Sequence, residues 1–152
     1  MTDPSLARPR SLRVLAATLA LAAVAALTLG PRAIVAPARG AFLRATEEFA
    51  APVRALLPNA DTDQILNAVL FVPFGAAVAL LLPRGWWWLA AALGAALSVG
   101  VEFAQASIPG RVPDADDVLW NTVGCAVGVV AVAVPRALAA RRRVRPRRGM
   151  GG

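Results

Sequence analysis

Residues 109–124 read PGRVPDADDVLWNTVG, a charged turn that runs directly into an apolar segment. Its Pro-Gly pair favours a tight turn. Acidic residues are expected at the start of the following helix, where they cap free N–H groups and oppose the helix dipole. Capping accounts for one or two of the three aspartates but not for Arg111 or Asn121. The stretch therefore predicts a turn that joins two helices and carries polar residues with a role beyond helix capping.

The rest of the chain is too apolar for an ordinary water-soluble domain. Hydrophobic residues make up 58% of the 152 residues and the mean hydropathy is +0.61, whereas roughly half of a soluble domain is apolar. All 16 basic residues are arginine and they flank the apolar segments, which is typical of a membrane protein. We therefore expect membrane lipids as partners and no nucleic acid.

Four apolar segments are long enough to cross a bilayer as helices, which takes roughly 17 to 25 residues. They are residues 14–30, 65–82, 86–108 and 118–134. The predicted fold is all-α, a polytopic four-transmembrane-helix bundle. Its parts are a basic N-terminus (1–13), a membrane domain (14–135) and an arginine-rich tail (136–152). The first segment could instead be a signal peptide, because arginines precede it and Ala-Pro-Ala follows it, but its length favours a retained span.

The distribution of arginine predicts the orientation. The N-terminus, the turn between the second and third segments, and the tail are rich in arginine and nearly free of acids. The other two loops mix arginines with acids. The positive-inside rule therefore places both termini in the cytoplasm of a multi-pass cell-membrane protein. The tail is expected to anchor this topology, and its arginines could also hold anionic lipid headgroups.

The first outer loop contains an amphipathic stretch. At 100° per residue one side is apolar and the other charged. The apolar side holds Phe42, Leu43, Phe49, Ala50, Val53, Leu56 and Leu57, and the charged side holds Arg44, Glu47, Glu48 and Arg54. The stretch predicts an interfacial helix that lies on the outer leaflet or packs over the bundle as a lid.

Polar residues of the last three predicted spans converge at the outer end. Several are spaced three or four apart, which places them on one face of each helix. The candidate binding residues are Asp63, Asn67, Glu102, Gln105, Arg111, Asp114, Asp117 and Asn121. Burying these faces against one another would assemble an outward-facing polar site.

Glu102 is the most informative of these residues. It lies roughly 9 Å inside the outer end of its span, where an unpaired carboxylate costs a few kcal/mol. Arg111 is the nearest cation in the sequence. The two could simply tie the turn to the bundle, or they could line a binding site, and we favour the site.

We predict no cofactor and no resident metal. The chain has one cysteine and no histidine, which excludes an intrachain disulfide and makes a zinc site unlikely. Cys125 is expected to be a small buried residue. A Mg²⁺ or Ca²⁺ site built from Glu102, Asp114 and Asp117 stays open as an alternative.

The polar residues resemble a known family in their order and spacing. The matching pieces are Asn67, LFVPFG at 70–75, VEFAQ at 101–105, PGR at 109–111 and DADDVLWNTVG at 114–124. Together they resemble the VanZ-like family of small bacterial membrane proteins, named after an accessory teicoplanin-resistance protein. The resemblance covers about residues 61–134 and implies a membrane fold and a link to glycopeptide resistance. It implies no established reaction.

Three functions follow from these observations. The first is a non-enzymatic protein whose outer polar cluster binds a lipid-linked or amphiphilic envelope molecule. The second is an enzyme that acts on a lipid or cell-wall substrate through carboxylates. The third is an accessory subunit that packs against another membrane protein through the GxxxG face of Gly124 and Gly128. We favour the first.

Overall fold

A computed structural model describes residues 4–31, 33–41, 44, 55, 60–108 and 114–144. Four long helices account for most of them: α1 (Pro4–Leu29), α2 (Thr62–Leu81), α3 (Trp87–Gln105) and α4 (Ala115–Val144). A short helical segment covers residues 33–41, and a 3-10 turn, Arg84–Trp86, precedes α3. Of the described residues 91% are helical and none is in a strand, and all four helices are long and apolar enough to span a membrane. The predicted all-α membrane fold is confirmed.

The helix ends differ from the predicted spans by ten residues at two places and by three residues or fewer elsewhere. α1 begins at Pro4, and α4 continues through Pro135 to Val144. The prediction follows apolar composition, which ends where the bilayer ends, whereas a helix can continue into water. Alanine and arginine, which dominate residues 136–143, are strong helix formers. The first part of the predicted tail is therefore helical.

Close backbone packing joins α2 to α4, which form the largest helix interface of the bundle. A methyl group added to Gly124 would overlap the carbonyl of Ala68, and one added to Gly128 would overlap the carbonyl of Val72. Gly75 of α2 lies in the same way against the backbone of Cys125. Small residues permit this approach. The alternative that Gly124 and Gly128 recruit another membrane protein is wrong, because α2 covers them.

The core lies along this interface and extends to α1 and α3. Its fully buried members include Val24 of α1, Phe71 of α2, Ala90 of α3 and Cys125 of α4. The rings of Phe71 and Phe74 pack edge to face with centroids 6.3 Å apart. Cys125 is completely buried, which confirms its predicted role as a small core residue.

The two ends of the bundle carry opposite charge. We call one the acidic end, because the described carboxylates all lie there: Asp61, Asp63, Glu102, Asp114, Asp116 and Asp117. We call the other the arginine end. There Arg136 donates to the carbonyl of Ala79 at 2.6 Å, and Arg13 to that of Leu80 at 3.4 Å. Both arginines satisfy carbonyls that lack partners at the C-terminus of α2.

A tight turn after α1 positions the segment at residues 33–41. The N–H of Gly30 bonds to Ala26, and the carbonyl of Pro31 accepts from Ile34 and Val35. Val35 is buried, so the segment folds back onto the bundle and carries Arg39 to the acidic end. The sequence pattern predicts only a loop for these residues. Most of the predicted interfacial helix, which begins at Phe42, lies outside the described residues.

Candidate functional site

A polar network at the acidic end centres on Asn67. Its amide Nδ2 donates to Asp117 Oδ1 at 2.6 Å, and its Oδ1 accepts from Arg39 Nη2 at 3.1 Å. The same Arg39 nitrogen lies 3.2 Å from Asp63 Oδ1. Asn67 is 5% exposed. Two predicted site residues, Asn67 and Asp117, thus bond directly, and Arg39, which was not predicted, joins a third, Asp63, to Asn67.

Arg39 is the residue that sequence reasoning misses. The sequence places it among the arginines of the outer loop, and nearness to Glu102 along the chain favours Arg111 as the cation instead. Arg111 lies outside the described residues. The sequence contains only a general indication of such a residue. Acidic side chains at membrane depth need a cation, and that cation can come from any segment that folds back onto the bundle.

Glu102 holds the start of α4. Its Oε2 accepts from the backbone N–H of Asp114 at 2.8 Å, and the residue is 6% exposed. The Asp114 carboxylate in turn accepts from the N–H of Asp116 at 2.8 Å. The N–H groups at a helix N-terminus lack partners within the helix, so both carboxylates satisfy orphan donors. The structure thus brings Glu102 and Asp114 together at the start of α4.

Gln105 and Asn121 have partners outside the Asn67 network. Gln105 Nε2 donates to the carbonyl of Thr28 at 2.9 Å and so ties α3 to α1. Asn121 Nδ2 donates to Ser98 Oγ at 2.9 Å between α4 and α3. Both amide side chains are at most 5% exposed. These contacts position the helices that carry the other polar residues.

The Asn121 side chain leads to a stability prediction. Its Oδ1 atom has no hydrogen-bond partner in the described part of the chain. Ser98→Ala would leave the amide unpaired at both ends, and we expect it to lower the free energy of unfolding by about 1–3 kcal/mol. Chemical unfolding in detergent measures this. In an Asn121→Leu background the same serine change is expected to cost little, and an equal cost there would contradict the pairing.

An apolar cleft adjoins the network between α1, the 33–41 segment and α2. Its walls are Leu27, Ala38, Leu66 and Leu70, and its polar end is formed by Arg39 and Asn67. Such a surface combines an apolar groove with a cation and an amide. This arrangement is suited to a molecule with an apolar chain and a polar head.

The predicted alternative of a carboxylate cation site is not supported by this geometry. Among the described residues, which include Glu102, Asp114 and Asp117, no three His, Cys, Asp or Glu side chains are grouped as metal ligands. Asp117 bonds to Asn67, while Glu102 and Asp114 bond to backbone N–H groups. The three carboxylates therefore accept hydrogen bonds from three different groups and do not converge on one point.

Comparison with known proteins identifies the family. The family model described as VanZ/LLP1 matches residues 13–136, which include α2 and α3 and most of α1 and α4. Comparisons with curated proteins and with solved structures give no match. The match includes Arg39 and every predicted site residue. The chain, a membrane protein with four apolar helices around a glycine-packed interface, belongs to the VanZ/LLP1 family.

Proposed function

We propose that this protein binds a lipid-linked or amphiphilic molecule of the cell envelope at the acidic end. The observation that carries the proposal is the cleft beside Asn67, in which apolar walls lead to the guanidinium of Arg39. The apolar part of the ligand lies against Leu27, Leu66 and Leu70. Its head, which carries hydrogen-bond acceptors or negative charge, contacts Arg39.

The charges around Arg39 suit ligand exchange. The Arg39 side chain is 18% exposed, whereas its partner Asp63 is 78% exposed. A salt bridge with so exposed a carboxylate contributes only about 0–1 kcal/mol. A ligand anion can therefore replace Asp63 at small cost, while Asn67 continues to hold the guanidinium in place.

We further propose that ligand binding lowers susceptibility to teicoplanin-type glycopeptides. Family membership supports this link, since the family takes its name from a teicoplanin-resistance protein. The proposal places the acidic end outside the cell and both termini in the cytoplasm, in line with the positive-inside rule. Lipid-linked envelope precursors are then within reach of the cleft.

Replacing Arg39 tests this function. Arg39→Gln keeps hydrogen-bonding capacity but removes the charge, and we expect any glycopeptide protection conferred by the wild-type chain to fall at least severalfold. The measurement is the minimal inhibitory concentration of teicoplanin in cells that express each variant at equal membrane level. Binding of a lipid-linked precursor to purified protein gives a second measurement.

Arg44→Gln is the matched control for this test. Arg44 is an exposed arginine close in sequence to Arg39 but outside the cleft lining. It should retain wild-type protection and binding. If both variants lose protection and binding, or if both keep them, Arg39 has no specific role in the cleft.

A further inference from the structure

A second cleft lies at the arginine end, between the C-terminus of α2, the 3-10 turn and α4. Two arginines from different elements line it, Arg84 of the turn and Arg136 of α4, together with Trp87 and small residues of α2 and α4. We propose that this cleft binds the phosphate of an anionic phospholipid headgroup. The site lies at the opposite end from the proposed ligand cleft, so it does not depend on the function proposed above.

The charge of the cleft is not neutralised by the described residues. The salt bridge between described residues, Arg39 to Asp63, lies at the acidic end. The described carboxylates are all at that end. Arg84 and Arg136 therefore face the cleft with positive charge that no described carboxylate offsets, and a phosphodiester anion supplies the missing negative charge.

The Arg136 guanidinium is already fixed in position. Its Nη1 donates to the carbonyl of Ala79 at 2.6 Å, and both Nη atoms lie 3.4 Å from the carbonyl of Leu82. These carbonyls orient the planar group without cancelling its formal charge. A guanidinium has five N–H donors in a fixed fork, and it recognises phosphate geometry well. Binding at this position requires little further ordering of the side chain.

The level of the cleft in the membrane favours a lipid as its occupant. Trp86, Trp87 and Trp88 are each about half exposed beside it, and Trp86 stacks on Trp88 at 6.0 Å. Indole rings concentrate at the level of lipid headgroups. One candidate span ends at Leu81 and the next begins at Arg84, so the cleft lies where a span leaves the bilayer. Headgroup phosphates are densely packed at that level.

Lipid retention by the full chain tests this site. The protein is reconstituted in nanodiscs of phosphatidylcholine with a minority of phosphatidylglycerol, extracted, and the lipids that stay bound are counted by native mass spectrometry. Wild type is expected to retain phosphatidylglycerol in preference to phosphatidylcholine. Arg84→Gln is expected to reduce this retention about fivefold, because it removes one of the two guanidinium groups that line the cleft and can bond to the phosphate.

Arg142→Gln is the matched control. It removes the same charge from an exposed position on α4 that does not line the cleft, and it should change retention less than twofold. Equal loss in Arg84→Gln and Arg142→Gln would mean diffuse attraction to the whole arginine end and would overturn the site. Equal retention of the two lipids by wild type would overturn it as well.

A second variant separates phosphate recognition from folding. Arg136→Gln would also remove the bonds that hold the end of α2, so Arg136→Lys, which keeps the charge without the fork, is used instead. We expect Arg136→Lys to reduce phosphatidylglycerol retention at least twofold. Its melting temperature in detergent should equal that of the wild type. If both Arg84→Gln and Arg136→Lys fold normally and retain as much phosphatidylglycerol as the wild type, the proposal is refuted.

Discussion

Gly124→Ala is expected to destabilise the bundle by forcing α2 and α4 apart. The added methyl would meet the backbone carbonyl of Ala68, with the carbonyl carbon and Cα of that residue also too close. A backbone cannot rotate away as a flexible side chain can, so the two helices must separate. Such overpacking costs typically 1–3 kcal/mol, occasionally more. We expect a clear loss of folded protein in a detergent unfolding titration.

Gly100→Ala provides the matched control. Gly100 lies in α3 with nothing within 4 Å of an added methyl. There the change should leave the protein unaffected or stabilise it by up to about 1 kcal/mol, since alanine favours the helix more than glycine does. If Gly124→Ala unfolds at the same denaturant concentration as Gly100→Ala, α2 and α4 are not in backbone contact at this position.

Asn67→Leu is expected to have a comparably large effect. The leucine fills a similar volume but removes one bond to Asp117 and one to Arg39. Both partners are charged, and Arg39 would keep only its contact with the exposed Asp63. Removing a hydrogen-bond partner from a charged group that is partly shielded from water costs more than the bond itself contributes. We expect the free energy of unfolding to fall by about 2–4 kcal/mol, measured by reversible unfolding in detergent.

A double-mutant cycle with Arg39→Leu attributes the loss to the network. For two residues in direct contact the sum of the two single effects should differ from the double effect by about 0.5–3 kcal/mol. Additivity within a few tenths of a kcal/mol would show that Arg39 and Asn67 act independently. Asp63→Ala is the exposed control and should cost no more than about 1 kcal/mol, because its carboxylate is largely in water.

The fold could be predicted from the sequence because a membrane-spanning helix is defined by the apolar composition of about twenty consecutive residues. Each apolar run independently satisfies the length that a bilayer requires, so an error at one helix end does not affect the others. The end of α4 shows the limit of this reasoning. Pro135 and the arginines beyond it mark the edge of the apolar region, but they do not stop the helix.

The candidate site was accessible only in part. Spacing of four residues placed Asp63 with Asn67, and Asp117 with Asn121, on common helix faces. It did not specify which faces meet. Arg39 joined Asn67 because the turn at Gly30 and Pro31 returns the chain over the bundle, and local sequence spacing carries no information on such a return.

The sequence by itself determined that the chain belongs in a membrane, the four long apolar helices, the family resemblance and the end of the bundle at which the acidic residues collect. These properties depend on composition and on spacing along one helix, both of which are local. The tertiary structure decided that Gly124 and Gly128 pack against α2 rather than another protein. It also decided that Arg39 is the cation of the Asn67 network and that Glu102 holds the start of α4. Those contacts join residues far apart in the chain, and only the packing of the helices selects among the many pairings that the sequence permits.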